Sequence, residues 1–418
     1  MSVATAPPLH QLEAQLGVDR QDWRRVAAAM FVIGWGGNQF TPLIGTYREL
    51  GGFSQLDVDV FLGAYVFGLI PGLLIASAVS NRIGRRPVLL AGLWSSLVGT
   101  LLLSLGVHGG YPGIVAGRML SGVAIGVAMS VGTAWVSELA ARSGERPGAG
   151  ARRSALWLTA GLGAGPASAG LLAHFATPAL TLPFLAHALL CVPVILLVTE
   201  ARWAETQGGQ SARTGERWRL ADLRVPAMRH PRFVRVVLPM APWVFGSAGI
   251  AYAIVPQVVS DSLGSGALLF AAGLAVATLG AGVLVQPLAR RLDDAGSARA
   301  IVVSMALMVL GVAMAAVTAA TGSPWLAVPV ALLLGCAYGI AVVSGLLEVQ
   351  RIAKPDELAG LTGVFYALCY FGFLLPAALA GLASWFSYPV MLGVAAVLAA
   401  ACAAVCASGW SRHLPVPA

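Results

Sequence analysis

Ser77-Ala78-Val79-Ser80-Asn81-Arg82-Ile83-Gly84-Arg85-Arg86-Pro87 is a tight, arginine-bearing turn between two long apolar runs. Gly84 suits the positive φ that a short reversal needs. Pro87 suits the first turn of the helix that follows, where a missing N–H costs nothing. Arg82, Arg85 and Arg86 gather three positive charges at one end of the flanking runs, and positive loops stay on the cytoplasmic side of a membrane.

Outward from this turn, apolar runs recur along the whole chain. Of its 418 residues 58% are hydrophobic and 11% charged; a water-soluble domain carries about 25% charged residues, which argues against a soluble enzyme. The runs have the length of membrane helices and lack the strict alternation of membrane β-strands. They predict twelve spans, at 26–47, 58–79, 87–107, 113–137, 153–174 and 180–198, then 235–259, 265–288, 299–320, 324–347, 359–383 and 388–408. The polar start, 1–25, has no apolar core of a signal peptide and reads as a cytoplasmic tail. A polar linker, 200–232, separates the bundles 26–199 and 233–408, and 409–418 forms a second tail.

With both termini cytoplasmic, every one of the 26 Lys and Arg except Arg48 and Arg118 falls in a cytoplasmic tail or loop. That bias sets orientation and explains the net charge of +8 as a topology signal with lipid-headgroup contact, not as a nucleic-acid surface. Cys191, Cys336, Cys369, Cys402 and Cys406 lie inside apolar runs and read as buried small hydrophobes. The six histidines show no ligand spacing, so no metal, disulfide framework or cofactor is expected. The one lysine, Lys354, follows Ala353, which excludes a phosphate-binding G-K-[S/T] loop and ATP-driven pumping.

The turn with which we began resembles the helix 2–3 signature of the major facilitator superfamily, G-x-x-x-D-R-x-G-R-R/K. It is approached by Tyr65-x-x-Gly68-x-x-Pro71-Gly72, and Ser77 and Asn81 stand where the family has Gly and Asp. The resemblance covers 26–408. It implies an all-α membrane protein of the inner membrane, with twelve transmembrane helices in two pseudo-symmetric six-helix bundles, and transport by alternating access. The halves echo each other at an offset of about 210 residues: Arg25 with Arg235, Glu138 with Glu348, Pro166 with Pro376. Gly282-x-x-x-Gln286-Pro287-x-x-Arg290-Arg291 is a faded copy of the first loop motif. Gly161-x-x-x-Gly165-Pro166-x-x-Ala169-Gly170 resembles the fifth-helix signature of the antiporter branches. It implies a drug:proton antiporter type, a monomer exporting a small organic compound against proton entry.

Arg118, inside span 4 above Gly122 and Gly126, is the residue most costly to insert. It reads either as an anion-holding group in a cavity or as a side chain snorkelling to headgroups. Trp35, Asn38 and Gln39 interrupt span 1 before Pro42, as a cavity wall or as interhelical hydrogen bonds. Tyr65, Trp243, Tyr252, Gln257, Tyr338, Tyr366 and Tyr370 read as lining or as packing. One arginine with amides and aromatics favours neutral or anionic substrates. Glu138 and Glu348, facing Arg82/Arg86 and Arg290/Arg291, read as a cytoplasmic latch. Proton-coupling candidates are Asp57 and Asp59, which also read as helix caps, His187, Glu138 and Glu348. A facilitator or importer of the same fold remains an alternative. A receptor or intramembrane enzyme would need a converging His/Glu or Ser/His set, which the spans do not offer.

Overall fold

Proline breaks the first of these helices, while others run on through one, as Gln55–Ile83 does through Pro71. The computed structural model describes residues 23–143, 145, 149–200, 225–354 and 357–412. Eleven helices among the described residues are long and apolar enough to cross a membrane. Span 1 is the twelfth, and it is broken. It runs as Trp23–Asn38, a tight turn at Thr41–Leu43, and Ile44–Gly51. Pro42 has no N–H for the Asn38 carbonyl four residues back, so the helix stops there. Span 2, Gln55–Ile83, opens on a capping box in which Ser54 and Asp57 satisfy each other's backbone N–H groups. It ends at Gly84, with φ 96°, and Arg85–Ser104 follows as span 3. Span 2 extends beyond the expected 58–79 at both ends, whereas span 3 starts two residues before the expected 87 and stops three before 107. Span 4 covers Gly110–Arg142, span 5 Ala149–Phe175 and span 6 Leu182–Glu200. Span 7 covers Phe233–Val258, span 8 Gly264–Leu284 and span 9 Arg299–Thr321. Spans 10, 11 and 12 are Pro324–Ile352, Gly360–Leu382 and Tyr388–Ser408. The polar tail before 23 and most of the linker, 201–224, lie outside the described residues.

Hydrocarbon tails are as apolar as leucine, so close backbone approach, rather than water exclusion, drives these helices together. Glycines provide it at repeated positions. A Cβ on Gly122 in span 4 would collide with the Tyr65 carbonyl of span 2, and one on Gly335 in span 10 with the Thr278 carbonyl of span 8. Both partners shift by the same 213 positions between the halves. Gly161 of span 5 meets the Phe31 carbonyl of span 1, and Gly372 of span 11 the Pro242 carbonyl of span 7, both shifted by 211. The duplication read from the sequence is therefore a duplication of helix contacts. We expect Gly122→Val to abolish accumulation of folded protein, because the obstructing atom is backbone and cannot rotate away; size-exclusion of detergent extracts checks this.

The bundles meet where span 2 runs along span 11 and span 5 crosses span 8. Gly170 of the fifth-helix motif lies on the second of these contacts, against Ala272. Leu189, Leu284 and Trp325, each at least three-quarters exposed, face outward as a hydrocarbon-contacting surface does.

Candidate functional site

At mid-height between the bundles, aromatic rings from four spans meet. Phe245 of span 7 stacks on Tyr370 and Phe373 of span 11, with centroids 4.3 and 5.1 Å apart. Tyr65 of span 2 reaches across the seam to both, at 6.3 Å. Tyr338 lies 5.7 Å from Phe245, and Tyr252 6.2 Å from Phe373. The Tyr370 hydroxyl donates to the Met129 sulfur of span 4 at 3.0 Å. Tilted and stacked pairs at these spacings attract beyond their buried area.

The backbone is irregular at this junction. Wide turns at Ala128–Gly132 and Ile250–Ile254 carry Met129 and Tyr252, and a tight turn at Gly372–Leu374 carries Phe373. Two have a local cause. Pro256 and Pro376 have no N–H for the Tyr252 and Gly372 carbonyls, four residues before each. Such turns mark functional positions in helices, and here they sit where the two bundles touch.

Arg118 lies directly behind Tyr65. It is 2% exposed, which excludes the headgroup-facing alternative. Its Nε donates to the Phe61 carbonyl and its Nη1 to the Gly37 carbonyl, both at 3.2 Å. The guanidinium carbon stands 4.8 Å from the ring centres of both Phe40 and Tyr65. Gly37 belongs to the last turn of the Trp23–Asn38 helix, whose carbonyls lack intrahelical partners and carry the negative end of the helix dipole. The break at Pro42 thus creates a seat for a buried cation that has no carboxylate partner among the described residues.

The amides of span 1 turn inward, into the N-terminal bundle. Pro166 leaves the Leu162 carbonyl without its helical N–H, and Asn38 Nδ2 donates to it at 3.0 Å. Gln39 Nε2 donates to Thr100 Oγ1 at 3.2 Å. Thr100 Oγ1 and His187 Nδ1 are 2.8 Å apart, and His187 Nε2 lies 2.9 Å from the Val32 carbonyl. A carbonyl only accepts, so Nε2 carries the proton and Nδ1 accepts from Thr100. Both nitrogens of a neutral His187 imidazole are thus engaged, while Gln39 Oε1 at the start of this hydrogen-bond chain has no partner among the described residues. Trp35 packs edge-on against Phe31 at 5.9 Å. Trp243 is half-buried in the C-terminal bundle, and Tyr366 packs on Phe365 at 5.5 Å. Gln257 lies at the far end of span 7 and donates to the Tyr388 hydroxyl at 3.2 Å.

The sequence profile of the Major Facilitator Superfamily matches residues 26–375. The chain belongs to that superfamily. A mutant of the nucleoside transporter NupG superposes with a TM-score of 0.71 at 11% identity, covering 93% of this chain and 99% of that one. A POT family transporter in complex with 5-aminolevulinic acid gives 0.69 at 12% identity, covering 94% and 96%. These likenesses establish the fold. A D-xylose-proton symporter-like 2 protein of Arabidopsis thaliana is 30% identical over 87 residues, which are 21% of this chain and 17% of that protein.

The facilitator loop motifs pair differently from expectation. Glu138 binds Arg85 at 2.9 Å instead of Arg82 or Arg86, and Arg86 donates to the Val198 and Thr199 carbonyls. Span 2 ends at Ile83, so Arg85 already belongs to span 3, beside the end of span 4. Glu348 binds Arg232 through two 2.7 Å hydrogen bonds and Arg351 at 3.5 Å, instead of Arg290 or Arg291. Arg351 also pairs with Asp293. Gln286 starts the short helix that carries Arg290 and Arg291. Each pair closes within one bundle, as the expected pairs would have, and it is the arginine partner that differs. The Asn81 side chain lies outside the described atoms. Nothing in the sequence marks Phe245, Phe373 or Met129, beyond the prolines that follow the turns of span 7 and span 11.

Proposed function

We propose that the protein is a monomeric secondary transporter of the inner membrane, exporting a small neutral or anionic organic compound, with proton entry as the drive. The arginine-bearing end faces the cytoplasm, with both termini on that side. The observation that carries this reading is the pairing of Arg118 with the ring junction. A cation seated on carbonyls and ring faces keeps its charge unneutralised by a carboxylate. The rings beside it provide the apolar walls and few polar groups of a small-molecule site. Parting of Tyr65 from Tyr370 and Phe373 exposes that site as the bundles rock. One charge crossing 100 mV supplies about 2.3 kcal/mol, so proton entry suffices as a drive. Export is read from the likeness of Gly161-x-x-x-Gly165-Pro166-x-x-Ala169-Gly170 to the antiporter signature.

The stretch shared with the plant symporter-like protein favours a second reading, proton-coupled uptake. Inverted vesicles with an imposed pH gradient separate the two. For export, neutral and anionic amphiphiles accumulate and dissipate the gradient, whereas cationic ones do not. Accumulation only in right-side-out vesicles establishes uptake, and movement without protons establishes a facilitator.

A further inference from the structure

A second polar site lies away from the ring junction, at the end of the seam opposite the arginine loops. Asp59 of span 2 is fully buried. Its Oδ2 accepts from Gln55 Nε2 at 2.7 Å, while its Oδ1 has no hydrogen-bond partner among the described residues. Asp57, two residues earlier, is half-buried and engaged with Ser54, so the two aspartates have different tasks.

Leu56, Asp59 and Gly63 share one helix face by their spacing. That face is turned toward span 11. A Cβ on Gly63 would meet the Leu374 side chain at 3.1 Å, and one on Gly381 would meet Leu56 at 3.7 Å. Asp59 therefore sits between the bundles. On the C-terminal side, the Tyr388 hydroxyl that accepts from Gln257 lies within electrostatic reach of both Asp59 and Arg48. Gln55 Oε1 and Gln257 Oε1 are also buried without a donor.

The charged and titratable groups around Asp59 are few. Arg48 and Glu49 come from Ile44–Gly51, Tyr388 from span 12, and Tyr111 from span 4, against Phe61. His174 and Asp261 line the adjoining cavity of about 590 Å³, together with Arg48, Glu49, Gln55 and Gln257. Arg48 is within electrostatic reach of Asp59 but forms no ion pair with it among the described residues. The seam thus holds three acceptor oxygens that lack donors, and one of them belongs to a group that can take a proton.

The geometry points to Asp59 as a proton-operated closure of this end of the seam. A proton on Oδ1 removes the buried charge and turns the bare oxygen into a donor in a seam that has acceptors to spare, and the bundles stay together. Without it the buried charge keeps an unmet oxygen, a cost relieved only when water enters. The proton is taken from water in the adjoining cavity and returns there when the seam opens, with no other reactant involved. Closure of this end then waits on proton uptake from the side to which the cavity opens; a proton that returns there crosses no membrane, so Asp59 gates the seam and does not itself carry the drive.

The test is cross-linking of a Leu56→Cys/Gly381→Cys variant in nanodiscs, with Cys336 and Cys402 replaced by alanine, using a short bifunctional thiol reagent across a pH series. With Asp59 intact, yield rises on acidification, the closed-to-open ratio changing by up to about tenfold per pH unit, the one-proton limit. Asp59→Asn gives high yield at every pH, and Asp59→Glu restores the pH response. Gln257→Leu, which removes a surplus acceptor, lowers the yield at acid pH while leaving its pH dependence. A pH response that persists in Asp59→Asn overturns the inference, as does a Glu variant that stays pH-insensitive while melting like the parent. The inference rests on the alternating-access reading, but the assay uses no substrate. Failure of export in vesicles leaves it standing, and a pH-insensitive seam leaves export standing.

Discussion

Arg232→Ala will remove most of the folded protein, with a loss of roughly 3–5 kcal/mol expected when one partner of a buried ion pair is deleted. The Arg232 side chain is 0% exposed and that of Glu348 2%, so the remaining carboxylate has no water to turn to. Arg351 stands 3.5 Å away but is already committed to Asp293, and it recovers only part of the loss. Domains are stable by about 5–15 kcal/mol, which makes this one substitution a large share of the total. Arg232 also donates to the Gly409 and Arg412 carbonyls, at 3.4 and 3.2 Å. It ties the end of span 12 to the start of span 7, and the alanine variant frees that end as well.

The double variant Arg232→Met/Glu348→Leu separates charge from packing. Both ions leave together, so the desolvation cost leaves too, and similar volumes fill the space. Its melting temperature in detergent is expected to lie well above that of Arg232→Ala. If the double variant is as unstable as the single one, the carbonyl contacts of Arg232, and not its pairing with Glu348, hold this corner.

Arg232 marks what the sequence hides. By composition it belongs to the polar linker, and its partner lies 116 residues further on. Neither periodicity nor local motif connects them; only the folded C-terminal bundle does. Features set by neighbouring residues were legible. The apolar runs mark the spans, Gly84 the reversal, and Asp57 the cap. The break of span 1 sits beside the Pro42 that the sequence displays, though apolarity alone runs the span on to 47. Side-chain direction was the harder question. Gln39 and Asn38 are adjacent polar residues in an apolar helix, and both turn into their own bundle because Thr100 and the carbonyl freed by Pro166 await them there. Tyr65, Tyr252, Tyr338 and Tyr370 were readable as candidates because a hydroxyl in an apolar run needs a reason. Phe245 and Phe373 were not, because a phenylalanine there needs none.

Substitution of Arg118 gives the second large effect, and it must be split between fold and transport. Arg118→Ala leaves the Gly37 carbonyl at the broken end of span 1 without its donor, at about 1–3 kcal/mol for a buried polar group left unpaired, while the Phe61 carbonyl keeps its partner inside the span 2 helix. It also removes the cation from two ring faces, so a general loss of transport is expected and does not discriminate. Arg118→Lys keeps the charge as a point, but lacks the planar fork that serves two carbonyls while stacking on Phe40 and Tyr65. Arg118→Met keeps the volume and discards the charge. If the charge attracts substrate, transport of anionic compounds falls by roughly ten- to a hundredfold in the Met variant, the equivalent of one charge-assisted hydrogen bond of about 1.5–3 kcal/mol. Transport of neutral compounds falls much less, and Lys retains a measurable anion preference. The deciding quantity is the anion-to-neutral transport ratio in vesicles, because a structural defect lowers both terms alike. An unchanged ratio across Arg, Lys and Met would leave Arg118 as the cation that seals the broken end of span 1, with no part in choosing what crosses.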